Sequence, residues 1–283
     1  MRIISWNIQW GRGADGKVDL SRTIAALRTL GPADLICLQE VTQGIPSLSG
    51  RPEDEVAAIA QSFPGFEAVF AAAIDVQGES GGRARFGNLV LSALPVLQVL
   101  RHALPFPVED KVLSMPRCCL ELVIRSKRGP LRVLTTHLEY HSGVQRRAQL
   151  AALRRLQEEA AAYGGQTPRG KKQGHPVFAP RPRPTEAVLC GDFNMSPTSP
   201  EYAVMAKTPT PDGSGWVDAW RVVHGETPHA ASANLHDTSG PGRASCRDYF
   251  WVSENLVSRV QDLWVDTKTL ASDHQPIVLD IDF

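Results

Sequence analysis

The sequence has no apolar run long enough to cross a membrane, and it carries no net charge. A spanning helix needs roughly 18 or more consecutive apolar residues, and no run in this chain reaches that length. The 30 basic and 30 acidic residues cancel among 283 positions. A protein that coats nucleic acid through its overall charge is strongly basic, so this class is excluded, whereas a locally basic cleft is not.

Cysteine is scarce, and its spacing does not suit a metal. The five cysteines are an odd number, and none has the short paired spacing that is typical of zinc sites. Cys37 and Cys190 lie in apolar segments, and the adjacent Cys118 and Cys119 would point to opposite faces of a strand. The sequence also lacks the basic and apolar regions of a signal peptide at its N-terminal segment. We therefore expect reduced, buried thiols and a cytoplasmic protein.

Short apolar segments alternate with a few amphipathic ones along the chain. Apolar residues make up 42%, which is enough for the core of one domain that spans residues 1–283. The strongest helical pattern covers 143–162, and a turn at 126–130 joins two strands into a hairpin. The predicted strands are 2–8, 34–39, 66–73, 87–92, 96–101, 119–125, 131–137, 186–190, 246–252, 258–266 and 276–282, and the other predicted helices are 19–30, 53–62 and one from about Ser199.

Residues 164–184 differ in composition from the rest. This segment holds five prolines, four glycines and five basic residues. We interpret it as a surface insertion; the alternative is a basic arm that contacts a phosphate backbone. The segment enters the beginning of a strand whose end carries Asp192, so we expect it on the far side of the fold from that residue.

Polar or ionisable side chains follow or open several of the apolar strands. A carboxylate at the end of a buried strand is partly desolvated, and it persists only with a partner such as a metal ion or an imidazole. Six such segments in one chain predict that their polar residues converge on one cleft. These residues are Asn7, Glu40, His137, Asp192 with Asn194, Asp248, and Asp273 with His274.

The motifs, taken in this order, resemble the endonuclease/exonuclease/phosphatase superfamily of deoxyribonuclease I-like metal-dependent phosphoesterases. The resemblance covers nearly the whole chain, and it is specific only when the motifs are taken together. It implies an α/β fold, a four-layer α/β sandwich in which two packed mixed β-sheets are flanked by helices. The motifs that carry it are Trp6-Asn7, Leu38-Gln39-Glu40, Thr136-His137, Gly191-Asp192-Phe193-Asn194 and Ser272-Asp273-His274.

The resemblance implies a site for Mg²⁺ or Mn²⁺. Glu40 resembles the family's chief metal ligand, Asn7 the amide that supports it, and Asp273 a second acid near the metal or the leaving group. Hard carboxylate oxygens suit these cations, which keep positions open for water and phosphate. Gln9 stands where some branches have a carboxylate, so a second tight metal site is not expected.

The resemblance also implies the catalytic roles. Asp192 resembles the residue that deprotonates the attacking water, and His274 resembles an imidazole beside the scissile phosphate that Asp248 orients. Asn194 and His137 resemble groups that contact phosphate oxygens. Further candidates for substrate contact are Asn88 and Arg117. Each residue alone also has an ordinary explanation, such as a turn residue for Asn7 or a core histidine for His137.

The sequence therefore predicts a divalent-metal-dependent phosphodiesterase. Nucleic acid is the favoured substrate, cut by an endonuclease, an exonuclease or a DNA-end-processing enzyme. The alternative is a phosphoesterase for phospholipids or small molecules, similar to a sphingomyelinase or a phosphatase, because the fold does not choose the substrate. A remote alternative is dinucleotide binding through the glycine-rich segment Gly11–Gly16. The same segment also fits the phosphate loop of an ATPase, but Val18 replaces the Ser or Thr that would hold Mg²⁺ there. Protein partners, oligomeric state and the number of metal ions stay open.

Overall fold

A computed structural model describes residues 1–45, 54–79, 81–164, 170, 172, 174–206, 210, 213–236 and 243–283. In this part of the chain two six-stranded β-sheets carry helices on their outer surfaces. The strands are β1 (Arg2–Asn7), β2 (Leu35–Gln43), β3 (Glu67–Gln77), β4 (Arg83–Ser92), β5 (Val96–Ala103), β6 (Cys118–Ser126), β7 (Gly129–His137), β8 (Ala187–Asp192), β9 (Trp216–Asp218), β10 (Asp248–Ser253), β11 (Val260–Val265) and β12 (Ile277–Ile281). The helices are α1 (Leu20–Thr29), α2 (Glu55–Ser62), α3 (Gly143–Gly164), α4 (Pro200–Met205) and α5 (Ala219–His224).

Each sheet is mixed and contains one parallel pair near its middle. The first sheet has the order β11-β12-β1-β2-β4-β3, and the second has the order β5-β6-β7-β8-β10-β9. The parallel pairs are β1 with β2 and β7 with β8. These strands are buried on both faces, which is why they read as continuous apolar runs rather than as alternating patterns.

Three apolar cores hold the four layers together. The core between the sheets includes Ile3, Leu120, Val188 and Phe250. A second core packs α1 and α2 on the first sheet, and a third packs α3 on the second sheet through Leu150 and Leu153. The predicted fold class, a four-layer α/β sandwich of two mixed β-sheets, is therefore confirmed.

Most predicted elements are present, and the differences have local causes. β3 continues to Gln77, beyond the predicted end at 73, and β4 begins at Arg83 rather than at 87. The hairpin is longer because Asp75 binds Arg83 across it, with an N–O distance of 2.7 Å. The sequence reading missed β9 and α5, which are only three and six residues long. It also began β10 two residues early, at 246 rather than Asp248. Residue 53 of the predicted helix 53–62 lies outside the described residues.

The cysteines and the hydropathy pattern agree with the sequence reading. All five cysteines are buried free thiols. Cys118 packs into the core between the sheets and Cys119 into the core under α3, so the pair does point to opposite faces of β6. Among the described residues, no helix has the length and the apolar character that a membrane span requires.

The last residues of the 164–184 insertion lie at the end of the second sheet opposite to His137. The run Pro180–Pro184 lies beside Pro130 and Tyr163. Pro130 is at the beginning of β7, and His137 is at its end. The one short turn of 3₁₀-helix in this segment, Pro176–Phe178, exposes Val177 and Phe178 to solvent. Residues 165–169, 171 and 173 of the insertion lie outside the described residues.

Candidate active site

Neighbouring strands of both sheets end at one rim, and this brings the predicted polar residues together. In the second sheet His137 pairs with Asp192 across β7 and β8, and Asp192 pairs with Asp248 across β8 and β10. In the first sheet Asn7 pairs with Gln39, the residue before Glu40. The amide of Gln39 donates to Thr135 Oγ1 over 2.9 Å and so ties β2 to β7 at this rim.

A β-bulge turns Glu40 into the cleft. The register of β2 against β4 shifts between Leu38 and Val41, and Glu40 has a positive φ of 58°. An inserted residue of this kind bends the strand and re-aims a side chain, and such bulges are common beside active sites. Glu40 is therefore the one partly exposed side chain between buried neighbours on β2.

Gly191 allows β8 to approach β7 closely just before Asp192. Its φ is 137°, and a Cβ atom at this position would lie 1.9 Å from the backbone oxygen of Thr136. No side chain fits in that space, so glycine is required in the motif that carries Asp192.

Asn7 joins the acidic residues of the two sheets. Its buried Nδ2 donates to Glu40 Oε1 over 3.0 Å and to Asp192 Oδ2 over 3.1 Å. One amide thus fixes the position of two carboxylates that come from different sheets. This agrees with the supporting role that the sequence predicts for Asn7.

Glu40 is a partly exposed acid, and among the described residues no cationic side chain is in hydrogen-bond contact with it. Burial raises its pKa to about 7, the hydrogen bond from Asn7 opposes this rise, and the nearby carboxylates of Asp273 and Asp192 add to it. Burial also raises the pKa of Asp273, which accepts a hydrogen bond from Gln9 Nε2 over 2.8 Å. A divalent cation would offset the cost of holding these charges together.

These oxygen donors fit Mg²⁺ or Mn²⁺. Carboxylate oxygens of Glu40 and Asp273 with a supporting amide form a hard set, and they border an open cleft that leaves room for water and substrate ligands. Asp192, Asp248 and His274 also place ligand atoms within 4.8 Å of one another. In that group, however, His274 itself is the cation, and Glu40 as the chief metal ligand stays a prediction.

His274 is held as a cation between two carboxylates. Its Nδ1 lies 2.8 Å from Asp248 Oδ2, and its Nε2 lies 3.6 Å from Asp192 Oδ2. Burial opposes the charge, but Asp248 and Asp192 raise the pKa of His274 well above its usual value. The imidazole is therefore protonated near neutral pH, as the predicted pairing of His274 with Asp248 requires.

Two serines hold this pair in place. Ser232 Oγ donates to Asp248 Oδ2 over 2.7 Å and accepts from the backbone N–H groups of Arg247 and Asp248. Ser272 Oγ donates to the backbone oxygen of Asn7 and accepts from the N–H of His274. Ser232 was not predicted, because it lies in a loop without periodicity and nothing in the sequence links it to Asp248.

Asp192 stays ionised although it is buried. Burial opposes ionisation, but the charge of His274 and the hydrogen bonds from the Asn194 backbone and from Asn7 hold its pKa below the usual value. The Asn194 N–H lies 2.8 Å from Asp192 Oδ1. An ionised carboxylate at the cleft can accept a proton, which is the role that the sequence predicts for it.

Asn194 and His137 form a second buried pair. Burial first, and then the charge of Arg117, lower the pKa of His137 to about 3, so the ring is neutral. Asn194 Nδ2 donates to Leu138 O and to His137 Nε2, each over 3.0 Å. His137 Nε2 also lies 3.4 Å from Asp192 Oδ2, while Nδ1 is buried, lies 3.8 Å from Glu40 Oε1 and has no hydrogen-bond partner among the described residues. In this arrangement Asn194 orients His137, and its predicted contact with phosphate stays a prediction.

The two further candidates for substrate contact occupy different places. Arg117 lines the cleft and donates from Nε to Glu139 Oε2 over 3.3 Å. Asn88 is buried and donates to the backbone oxygen of Cys118 over 3.2 Å. It is not among the residues that line the cleft, so a direct substrate contact for Asn88 also stays a prediction.

The cleft above these residues has a volume of about 440 Å³. Its walls carry three aromatic rings, Trp10, Phe86 and Tyr140, and the cations Arg117 and Arg247. The aromatic rings were not predicted as site residues. Trp10 and Tyr140 each lie three residues after a predicted site residue, Asn7 and His137, and this proximity could have indicated them. Phe86 lies near no predicted site residue in the sequence.

The glycine-rich segment Gly11–Gly16 does not present a helix end to a phosphate. A 3₁₀ turn at Gln9–Gly11 leads into it, and α1 begins only at Leu20. Asp19 Oδ1 accepts from the N–H groups of Ser21 and Arg22, so the first amides of α1 are already satisfied. The dinucleotide alternative gains no support from this geometry.

The fold and the site are those of a phosphoesterase, and the family can be stated directly. The chain belongs to the Endonuclease/Exonuclease/phosphatase family, whose sequence model matches residues 4–274. Members of this family are hydrolases that act on phosphoester bonds. A search of curated protein sequences finds no match.

Solved structures confirm the fold at low sequence identity. A mannosyl-6-phosphatase from Bacteroides thetaiotaomicron superposes with a TM-score of 0.67 at 17% identity, over 100% of both chains. The human Nocturnin catalytic domain with bound sulfate gives 0.63 at 18% identity, over 100% of this chain and 93% of its own. D. rerio TDP2 in complex with single-stranded DNA product gives 0.65 at 17%, over 100% of this chain and 99% of its own.

Proposed function

We propose that the protein is an Mg²⁺- or Mn²⁺-dependent phosphodiesterase. The observation that carries the proposal is the pair of acids, the partly exposed Glu40 and the buried Asp192, that share the amide of Asn7. One acid lacks a cationic side chain in hydrogen-bond contact among the described residues and suits a metal ion, while the other is ionised and faces the cation His274. A metal ligand, a base and a fixed positive charge around one cleft are the groups that phosphodiester hydrolysis needs.

Glu40, supported by Asn7 and Asp273, would hold the divalent cation. When bound there, Mg²⁺ or Mn²⁺ supplies Lewis-acid stabilisation of charge on the phosphoryl and leaving oxygens. The chain's own residues do the rest. Asp192 accepts the proton of the attacking water, and the Asn194 backbone and Asn7 hold its carboxylate in place for that transfer.

Positive charge and N–H groups stabilise the phosphoryl oxygens as negative charge builds on them. The protonated ring of His274 faces Asp192 and is anchored through Nδ1 by Asp248. The imidazole of His137 is the second group, and its ring is held in place because Asn194 Nδ2 lies 3.0 Å from its Nε2. Donors fixed before the reaction need no reorganisation, and such electrostatic stabilisation is often the largest part of the rate gain.

Nucleic acid is the substrate that the cleft favours. Trp10, Phe86 and Tyr140 offer aromatic faces for bases, and Arg117 and Arg247 offer charge for phosphates. Stacking on aromatic rings in a basic groove is the usual way in which proteins hold single strands without sequence preference. The fold is shared with D. rerio TDP2, which was solved with a single-stranded DNA product.

A phosphoester on a lipid or a small molecule is the second candidate. The segment before Arg117 exposes large apolar side chains, Phe106, Val108 and Leu113, and its Met115 lines the cleft. Exposed apolar groups of this kind can mark contact with an apolar partner. The fold is also shared with a mannosyl-6-phosphatase. The cytoplasmic location that the sequence predicts stays a prediction for either substrate.

The decisive experiment is hydrolysis of a substrate panel by the metal-loaded protein, with and without EDTA. The panel contains bis-p-nitrophenyl phosphate, p-nitrophenyl phosphate, single- and double-stranded DNA, RNA and sphingomyelin. We expect EDTA-sensitive cleavage of the diester and of a nucleic acid, both lost in Asp192→Ala. Cleavage of the monoester or of sphingomyelin alone would favour the second candidate, a phosphoester on a lipid or a small molecule. Cleavage that EDTA does not affect would contradict the proposed dependence on a metal ion.

Two tyrosines of similar exposure separate stacking from general surface effects. Tyr140 lines the cleft and is 57% exposed, whereas Tyr163 at the far end of α3 is 48% exposed. Tyr140→Ala should raise the KM for single-stranded DNA by about tenfold, since stacking is worth about 1–3 kcal/mol per base, and it should leave bis-p-nitrophenyl phosphate unaffected. Tyr163→Ala should change neither, and equal effects of the two variants would contradict base stacking in the cleft.

A further inference from the structure

A small cavity lies against Asp248, and none of the residues that line it also lines the cleft. Its volume is about 10 Å³, and its polar lining comes from His229, Asp218 and Asp248. The remaining walls are formed by side chains such as Trp220, Tyr249 and Leu263. A cavity of about 10–15 Å³ is the smallest that admits one water molecule.

Two residues that line this cavity each have a buried polar atom without a hydrogen-bond partner among the described residues. These atoms are His229 Nδ1 and Asp248 Oδ1. Their side chains are only 3% and 1% exposed. Buried polar groups in native proteins nearly always have a partner, and ordered water is the usual one where no protein group is near.

The ring of His229 is fixed so that its free nitrogen is an acceptor. Its Nε2 lies 2.7 Å from Asp218 Oδ2, and the ring stacks on Trp220 at 5.5 Å with an interplanar angle of 22°. Asp218 in turn accepts from Tyr202 Oη over 2.6 Å and from the backbone N–H of Trp220. Because Nε2 carries the proton that is donated to Asp218, Nδ1 offers a lone pair to the cavity.

Asp248 also offers only an acceptor to the cavity. Its Oδ2 is occupied by Ser232 and by His274, and its Oδ1 is the atom that remains. A water molecule has two hydrogens and can donate one to each of two acceptors. The two lone pairs therefore match one water molecule.

We propose that a buried water molecule joins His229 Nδ1 to Asp248 Oδ1, and that His229 is a positioning residue for the Asp248–His274 pair. The chain of contacts then runs from Tyr202 through Asp218 and His229 to the acid that orients His274. The water itself does not depend on the function proposed above, whereas the effect on turnover rests on it.

The direct test is a high-resolution crystal structure of the parent protein. We expect one ordered water within hydrogen-bond distance of both His229 Nδ1 and Asp248 Oδ1. A dry cavity, or a direct contact between the two side chains, would overturn the proposal whether or not the protein hydrolyses phosphodiesters.

The functional test compares two histidines that flank Trp220. His229→Phe keeps a ring in the stack but removes both nitrogens, while His224→Phe removes a histidine that bonds Leu263 O and does not line the cavity. Outer partners of catalytic groups typically contribute about 10–100-fold. We therefore expect about a tenfold lower kcat for bis-p-nitrophenyl phosphate in His229→Phe, an unchanged KM, and parental values in His224→Phe. A parental kcat in folded His229→Phe would overturn the positioning role.

Two further measurements distinguish positioning from loss of packing. The far-downfield proton resonance of His274 Nδ1–H should move in His229→Phe and stay in place in His224→Phe, a readout that does not need turnover. His229→Gln keeps groups that can bind Asp218 and water, so it should recover part of the lost kcat. If His229→Phe does not fold, His229→Gln is compared with the parent by the same resonance. An unmoved resonance in His229→Phe, or a Gln variant as slow as the Phe variant, contradicts the proposal.

Discussion

Replacing Asp192 by asparagine should remove most of the activity at a small cost in stability. The change keeps the size of the side chain but removes its charge and one of its two acceptors. Asp192 Oδ1 accepts from the Asn194 N–H, and Oδ2 accepts from Asn7 Nδ2. An asparagine has one oxygen, so whichever way its amide turns, one of these donors loses its acceptor.

The two consequences differ in size. A buried donor without an acceptor costs about 1–3 kcal/mol of unfolding free energy. Loss of a general base lowers the rate by about 10²–10⁴-fold, which corresponds to about 2.7–5.4 kcal/mol of transition-state free energy. We therefore expect a folded protein whose kcat on bis-p-nitrophenyl phosphate falls by at least a hundredfold. Urea unfolding and steady-state kinetics with Mg²⁺ or Mn²⁺ measure the two effects separately.

A matched exchange at an exposed site controls for the loss of a carboxylate. Asp75 lies on β3, is 43% exposed and binds Arg83 at the surface. Asp75→Asn should leave kcat at the parental value. A folded Asp192→Asn protein that retains kcat within tenfold of the parent would refute the assignment of Asp192 as the base.

Three further predictions concern the metal, pH and the backbone. Mg²⁺ or Mn²⁺ should raise the melting temperature of the parent, because a ligand stabilises the state that binds it, and Glu40→Gln should abolish this rise; an equal rise in both would contradict Glu40 as the ligand. Because burial raises the folded-state pKa of Glu40 from 4.5 to about 7, its contribution to the stability of EDTA-treated protein is full below pH 4.5 and is lost as pH rises to 7 and above. Between pH 4.5 and 7 the unfolding free energy of the parent should therefore fall more steeply with pH than that of Glu40→Gln. Parallel curves of unfolding free energy against pH for the two proteins would contradict the raised pKa of Glu40. Gly191→Ala should destabilise the fold by about 2–5 kcal/mol through overpacking and strain, since its Cβ meets Thr136 O at 1.9 Å; a melting temperature equal to that of the parent would show that β7 can move.

The sequence predicts the fold and those site residues that lie at strand ends, because buried strands can be recognised in the sequence. A strand that is buried on both faces reads as an apolar run, and the polar residue at its end marks the rim. Asn7, His137 and Asp192 follow this rule, and the structure places all three at one rim. The resemblance to a family added what no strand pattern contains, namely the role of each residue.

The rest of the site depends on contacts that no local pattern shows. The bulge that turns Glu40 into the cleft is a mismatch between two strands, and it becomes visible only when β2 is paired with β4. Ser232 and His229 lie in the loop after α5, far in sequence from the Asp248 that they support or face. Short elements such as β9 carry too few residues to show a period.

The pairing of β1 with β12 has a consequence for how the chain is made. Residues Arg2–Asn7 lie in the interior of the first sheet, and their partner on one side is Ile277–Ile281. On the ribosome, β1 therefore emerges long before β12, the strand that completes its hydrogen bonds. Until β12 is synthesised, the strand that carries Asn7 has no partner on that side. Because Met1 N donates to Ile281 O over 2.7 Å, a short linker could join these two ends. A circular permutant opened within the 164–184 segment would then synthesise β12 and β1 in succession.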